Sequence, residues 1–147
     1  MRKIVVSFVA VLAASLSLAS CRSAPAGGPG AGAPSAAAAV QEFLAAAHAG
    51  DVRTMGTLFG TASGPVSGRD QPNDVEKRMR VLQCYLTHDV ARVLDDLPGL
   101  KSERRLEVEL RQGNLVRRTV FSAVPGPHQR WFVESFDIQA LADLCHP

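Results

Sequence analysis

The sequence predicts an α+β fold, in which N-terminal helices precede a curved antiparallel sheet. Three segments between residues 36 and 86 repeat apolar side chains at the three- and four-residue spacing of amphipathic helices. From residue 91 onward the pattern changes to apolar–polar alternation, interrupted by Gly- and Pro-containing turns that are typical of antiparallel strands. A run of helices followed by a run of strands indicates α+β rather than alternating α/β architecture.

The helices are predicted from their start and stop residues as well as from their apolar spacing. Capping and breaking residues delimit three helices, with the third running to about residue 86. In chain order these residues are Ser35, Gly50, Asp51, Gly60 and Pro72. Residues 61–71 are predicted to form a loop that includes a short strand.

The strands follow from alternation. Residues 91–94 read as a short extended segment, and residues 105–111 alternate strictly, with Leu106, Val108 and Leu110 on one face and charged side chains on the other. Residues 115–124 and 130–138 form two more predicted strands, separated by a turn at residues 125–128. A helical turn that includes Leu141 and Leu144 closes the chain.

The N-terminus has the layout of an export signal, predicted to span residues 1–20. Arg2 and Lys3 form a basic start, residues 4–18 are almost uninterruptedly apolar, and Leu18-Ala19-Ser20-Cys21 follows. The apolar run is too short and wrongly flanked for a stable membrane-spanning helix. The alternative is a plain secreted protein with a cysteine near its cleavage site.

Residues 18–21 resemble a bacterial lipobox, which has a large residue, two small residues and a cysteine. The resemblance implies transfer of a diacylglyceryl group to the Cys21 sulfur, cleavage before Cys21, and acylation of the new amine, for example by palmitate. Several acyl chains on one residue anchor a protein durably. The next residue, Arg22, is not the Asp associated with inner-membrane retention. We therefore expect a lipid-anchored protein of the bacterial cell envelope, in the outer membrane and facing the periplasm.

The remaining chain divides into a linker and one domain. Residues 21–38 contain the lipidated cysteine and a stretch rich in Ala, Gly and Pro, which predicts a flexible tether. Residues 39–147 are predicted to form a single domain. Without Arg2 and Lys3 the 16 basic side chains fall to 14, equal to the 14 acidic ones. This balance speaks against a nucleic-acid-binding protein.

Two cysteines remain once Cys21 is lipidated, and an exported protein meets an oxidising compartment. Cys84 and Cys145 are therefore predicted to form a disulfide. The alternatives are two separate buried thiols, or a zinc site made of both cysteines with His88 and His146. The adjacent pair Cys145 and His146 has poor spacing for chelation, so we predict no metal centre, and no cofactor motif is recognised.

The domain resembles the nuclear transport factor 2-like superfamily, which includes ketosteroid isomerases and polyketide cyclases. The resemblance rests on two stretches of sequence. The first is VQEFLAAAHAGDVRTMGTLFG (residues 40–60), which contains a Gly-Asp junction and a Leu-Phe pair, and the second is RWFVE (residues 130–134). The resemblance covers about 105 residues. It implies a cone-like fold in which a curved sheet wraps the third helix and leaves a pocket at the open end. The catalytic residues do not carry over, because Tyr85, the single tyrosine, does not match the catalytic position.

Two charged residues on neighbouring predicted strands, Arg118 and Glu134, are candidates for such a pocket together with Phe132 and Phe136. Arg118 lies between apolar residues on one strand, and Glu134 lies between Phe132 and Phe136 on the next. If their faces coincide, the two charges would pair in the cone and bind a polar ligand. A shift of one residue in register places them on opposite faces, and the alternative is a solvated cross-strand pair.

These observations leave three hypotheses for function. The first is a non-catalytic envelope lipoprotein whose domain binds a small apolar or polar ligand, or an envelope protein partner. The second is a structural or homodimerisation module. The third is an enzyme of ketosteroid isomerase-like or cyclase-like type, with Glu134 as its base. The fold by itself does not choose among them.

Overall fold

The computed structural model describes residues 30–145, and these residues form an α+β domain, which confirms the predicted fold class. The predicted signal peptide and Cys21 lie outside the described residues. The helices are α1 (Ala36–Ala49), α2 (Val52–Leu58), α3 (Pro72–Tyr85) and α4 (Ala142–Cys145). The strands are β1 (Gly60–Thr61), β2 (Gly64–Pro65), β3 (Val90–Pro98), β4 (Arg104–Gln112), β5 (Leu115–Pro125) and β6 (Trp131–Phe136).

Three of the predicted capping residues, Ser35, Gly50 and Asp51, act as expected, whereas Phe59 and not Gly60 caps the end of α2. The Ser35 hydroxyl accepts a hydrogen bond from the Ala38 N–H at 3.1 Å at the start of α1. Gly50 ends this helix in the left-handed conformation, with φ of 72°. The Asp51 carboxylate caps α2 by accepting from the Thr54 N–H at 3.0 Å. Residues at the helix boundaries therefore set both ends of α1 and the start of α2.

The folded part of the chain begins earlier than the predicted boundary at residue 39. Ala33 is fully buried, and its backbone N–H and C=O both bond to Trp131 of β6, at 2.9 and 2.8 Å. The helix α1 already begins at Ala36. Residues 33–38 therefore belong to the domain and not to the linker predicted over residues 21–38. Ala33 has no large apolar side chain, and its backbone hydrogen bonds to Trp131 hold it against β6.

The main sheet is an antiparallel meander in the order β3-β4-β5-β6. The strand β3 is longer than the predicted segment 91–94, and β6 ends at Phe136, before the predicted residue 138. The register shifts at Leu94 in β3 and at Glu134 in β6. Such β-bulges bend and twist a strand, and they give the sheet its curvature.

The helix α1 packs against the inner face of this sheet, whereas α3 lies mainly against α1, α2 and α4. This arrangement differs from the expectation that the sheet wraps the third helix. A chain of aromatic contacts runs through the core, with ring centroids 5.7 Å apart for Phe43 and Phe59 and 4.8 Å apart for Phe121 and Phe136. Between residues 30 and 145, no helix has the length and apolarity needed to cross a bilayer.

Candidate functional site

The four residues predicted to form a pocket do not line one site: Arg118 and Phe136 border a common groove, but Phe132 and Glu134 do not. Arg118 lies opposite Glu109 on the outer face of the sheet, and its guanidinium pairs with Glu109 at 3.2 Å and Glu107 at 3.7 Å. Glu134 is exposed at the β6 bulge. The partners of Arg118 are therefore on β4 rather than β6, and its charge is satisfied in a solvated cross-strand cluster.

The two phenylalanines also lie in different places. Phe136 packs against Phe121 and Phe43 in the core. Phe132 is 2% exposed and lies outside the main core cluster, where its ring contacts Gly32 and Gly126. A β-carbon at either glycine would overlap this ring, so the absence of side chains there allows Phe132 to be buried.

A cavity of about 380 Å³ lies where α1 meets the inner face of β3. One wall is a single face of α1, formed by residues at helical spacing: Gln41, Leu44, Ala45 and His48. The other wall is formed by His88 and Asp89, which precede β3, and by Ala91 and Val93 of β3. The cavity thus combines an apolar middle with a polar end.

Two histidines define the polar end. His48 lies in the last turn of α1, and its Nδ1 is 2.9 Å from the backbone oxygen of His88. His88 is 8% exposed, and its own Nδ1 is 2.6 Å from the backbone oxygen of Leu86. The two ring centroids are 5.1 Å apart.

These contacts assign the tautomers. A carbonyl oxygen only accepts hydrogen bonds, so the Nδ1 atom of each histidine must carry the proton that it donates. In the neutral imidazole the Nε2 atom is then an acceptor. Within the described residues, neither Nε2 atom has a hydrogen-bond partner. Each of the two histidines that line the polar end of the cavity therefore keeps one ring nitrogen that can accept a hydrogen bond.

Asp89 adds an anionic acceptor to the same wall. Its Oδ2 accepts a hydrogen bond from the Gly113 N–H at 2.7 Å, which ties the start of β3 to the turn between β4 and β5. Gly113 has φ of 54°, in the left-handed region that favours glycine. This bond fixes the carboxylate in place and leaves its second oxygen available.

A disulfide joins Cys84 in the last turn of α3 to Cys145 at the end of α4, with Cα atoms 4.8 Å apart. It lies four residues before His88 and so restrains the segment that forms the cavity wall. Because both sulfurs are in this bond, they do not form the alternative zinc site, and His146 lies outside the described residues. Across residues 30–145, no group of three His, Cys, Asp or Glu side chains has the geometry of a metal site.

A larger groove of about 460 Å³ lies on the outer face of the sheet and includes Arg118 and Phe136. The Arg118 guanidinium in this groove is already held by two carboxylates of the same sheet, those of Glu107 and Glu109. The Ser122 hydroxyl is also occupied, because it bonds the Glu103 carboxylate at 2.5 Å. The cavity between α1 and β3, with its unpartnered histidine nitrogens, is the better candidate site.

Sequence reasoning missed this site and one further perturbed group. Glu42 of α1 has a pKa above its usual value, because partial burial outweighs the attraction of Arg130. The recurrence of Gln41 and His48 on one stripe of an apolar helix was the available signal for the cavity. No protein-family model, curated protein or solved structure matches this chain.

Proposed function

We propose that this protein is a lipid-anchored component of the bacterial cell envelope whose domain binds a small ligand without catalysis. The anchor would be the acylated Cys21, carrying a diacylglyceryl group and an amide-linked fatty acid such as palmitate. This part of the proposal rests on the basic start, the short apolar run and the Leu18–Cys21 motif. The domain would face the periplasm from the outer membrane.

The cavity between α1 and β3 is the observation that carries ligand binding. With each Nδ1 atom donating to a backbone oxygen, the two imidazole Nε2 atoms and the Asp89 carboxylate can act as acceptors, so the polar end favours a hydrogen-bond donor with a positive charge. Leu44 and Val93 line the apolar part. A small amine with a short hydrocarbon chain combines these properties, and we propose this class of ligand.

We propose binding without catalysis because of how the histidines that line the cavity are bonded. Neither His48 nor His88 bonds a carboxylate through Nδ1, so the imidazoles lack the partner that commonly raises the basicity of a catalytic histidine. The lining does hold side chains capable of acid–base chemistry, namely His48, His88 and Asp89, but no hydrogen bond among the described residues joins one of these side chains to another. Glu134, the base considered in the enzyme hypothesis, is exposed and does not line this cavity.

Titration with a series of primary alkylamines, from propylamine to hexylamine, tests the proposal, with the matching alcohols as control ligands. Binding would be followed by NMR of the histidine imidazoles in the chain that starts at Arg22. We expect the amines to bind roughly tenfold or more tightly than the alcohols, because charge-assisted hydrogen bonds are the stronger ones.

Two variants locate the site. Asp89→Asn keeps an acceptor for the Gly113 N–H but removes the charge, and His48→Ala removes one acceptor; both should reduce the preference for amines. His128→Ala is the matched control, because His128 lies in the turn before β6 and not in this cavity. Equal binding of amines and alcohols, or loss of binding in the control alone, would refute the proposal.

A further inference from the structure

The two edges of the main sheet differ in whether other segments of the chain cover them. The β6 edge is covered, because Trp131 pairs with Ala33 and Val133 bridges to Phe59. At the opposite edge, the backbone of β3 bonds only to β4 within residues 30–145. An uncovered strand of nine residues is a template for pairing with another strand.

The bulge at Leu94 gives β3 an unusual charge pattern. Arg92 lies opposite Glu109 and Asp95 lies opposite Glu107, and these glutamates share the outer face of β4. Arg92 and Asp95 are therefore on the same face, although residues three apart on a regular strand point to opposite faces. The bulge thus presents a cation and an anion side by side on one edge.

Neither of these charges is paired within the described part of the chain. No basic side chain between residues 30 and 145 forms an ion pair with Asp95, and no acidic one forms an ion pair with Arg92. Asp95 instead faces Glu107 directly, an unfavourable pairing of like charges. No basic side chain of its own sheet therefore balances the negative charge of Asp95.

We propose that β3 pairs antiparallel with β3 of a second copy of this chain, about a two-fold axis between Val93 and Leu94. In this register Arg92 lies opposite the partner's Asp95, and the symmetry makes the contact twice. An antiparallel pair related by a two-fold axis normal to the sheet places residues of the same face opposite each other. The bulge is what allows this register to satisfy that condition.

The same register also pairs apolar side chains. Val90 and Leu97 lie on the outer face and are 44% and 55% exposed. In the proposed dimer, Val90 of one copy faces Leu97 of the other, and the symmetry makes this contact twice. Leu94, 41% exposed, lies beside the axis. The strand is thus self-complementary in both charge and apolarity, which favours a second copy over an unrelated partner. The four strands of each copy would form one continuous sheet.

This inference goes beyond ligand binding and does not depend on it. The test uses the full chain, purified from membranes in a non-ionic detergent, with its mass measured by light scattering and native mass spectrometry over a concentration series. We expect a dimer that dissociates on dilution. Asp95→Arg leaves two positive charges on each edge and Arg92→Asp leaves two negative charges. Each single variant should dimerise roughly tenfold or more weakly than the wild type.

The decisive measurement is the mixture of the two single variants. Every cross-strand charge pair is again of opposite sign in their heterodimer, so mixing should restore association to near the wild-type level. The double variant, with the charges exchanged, should also dimerise. Lys77→Glu is the control, because it reverses a charge on the exposed side of α3 and should leave association unchanged.

Three results would overturn the proposal. One is a wild-type chain that stays monomeric at about 0.1 mM, a concentration at which even weak specific pairs associate. Another is dimerisation that neither single variant weakens, which would place the interface elsewhere. The third is a mixture that associates no better than the single variants, which would show that charge pairing across this edge does not hold the copies together.

Discussion

Removal of the disulfide by the double substitution Cys84→Ser and Cys145→Ser should destabilise the domain substantially. The two cysteines are 61 residues apart in sequence. In the chain-entropy model, a cross-link that closes a loop of this length lowers the entropy of the unfolded chain by an amount worth about 4 kcal/mol at 25 °C. For a domain of this size, such a loss lowers Tm by roughly 15 °C.

The folded state should survive this change, which is why the full entropic effect is expected. Leu141 and Leu144, on the C-terminal segment that Cys145 ends, are 0% and 1% exposed. Their burial keeps α4 against α3 without the covalent bond. Amide exchange at residues 141–144 should therefore rise with global unfolding, and not through separate detachment of this segment.

Urea unfolding measures the effect, with the oxidised wild type compared with the double-serine variant and with the reduced wild type. The reduced protein and the variant should agree within about 0.5 kcal/mol, since both lack the cross-link. A difference from the oxidised protein of less than about 1 kcal/mol would refute the entropic reasoning. Two thiols that react with an alkylating agent in the denatured, unreduced wild type would refute the bond itself.

Three further predictions concern single residues. Burial raises the pKa of Glu42, so the contribution of this group to stability is full below the usual value of 4.5 and is lost as pH rises through the raised pKa. The Tm of the wild type should therefore fall over this range in a series from about pH 4 to 7. The substitution Glu42→Gln should make that fall shallower. Hydrogen bonds from Thr54 lower the pKa of Asp51, so its stabilisation is full above 3.8 and is lost as pH falls through the lowered pKa. Asp51→Ala should therefore cost about 1 kcal/mol in urea unfolding at pH 7 and less near pH 2. Gly60→Ala would push a β-carbon into the backbone of β2 and should cost about 1–3 kcal/mol by the same assay, whereas Gly68→Ala, whose nearest neighbour is 3.8 Å away, should cost less than about 1 kcal/mol.

The elements that local chemistry determines were predictable from sequence. Ser35, Gly50 and Asp51 set helix ends through bonds to neighbours within a few residues. The strand β3 was only partly predicted, because Asp95, Asp96 and Pro98 have low intrinsic strand propensity. Its backbone is extended because it pairs with β4 along its whole length, which is a tertiary effect.

The candidate site could not be predicted in the same way. His48 and His88 are 40 residues apart, and what fixes each ring is a bond to a backbone oxygen, which leaves no signature in the sequence. The charge of Arg118 was recognised, but its partners depend on which strand faces which. The observed register places Glu109 opposite it, and the strict alternation of β4 brings Glu107 to the same face.

The placement of the N-terminal segment connects the anchor, the cavity and the free edge. Ala33 pairs with Trp131, so the chain enters the domain along β6. The cavity and the uncovered backbone lie at β3, on the other side of the four-stranded sheet. A tether to the membrane through Cys21 would thus leave the domain at the β6 edge of the sheet, which Ala33 covers. The proposed anchor would then obstruct neither ligand entry at α1 and β3 nor pairing of β3 with a second copy.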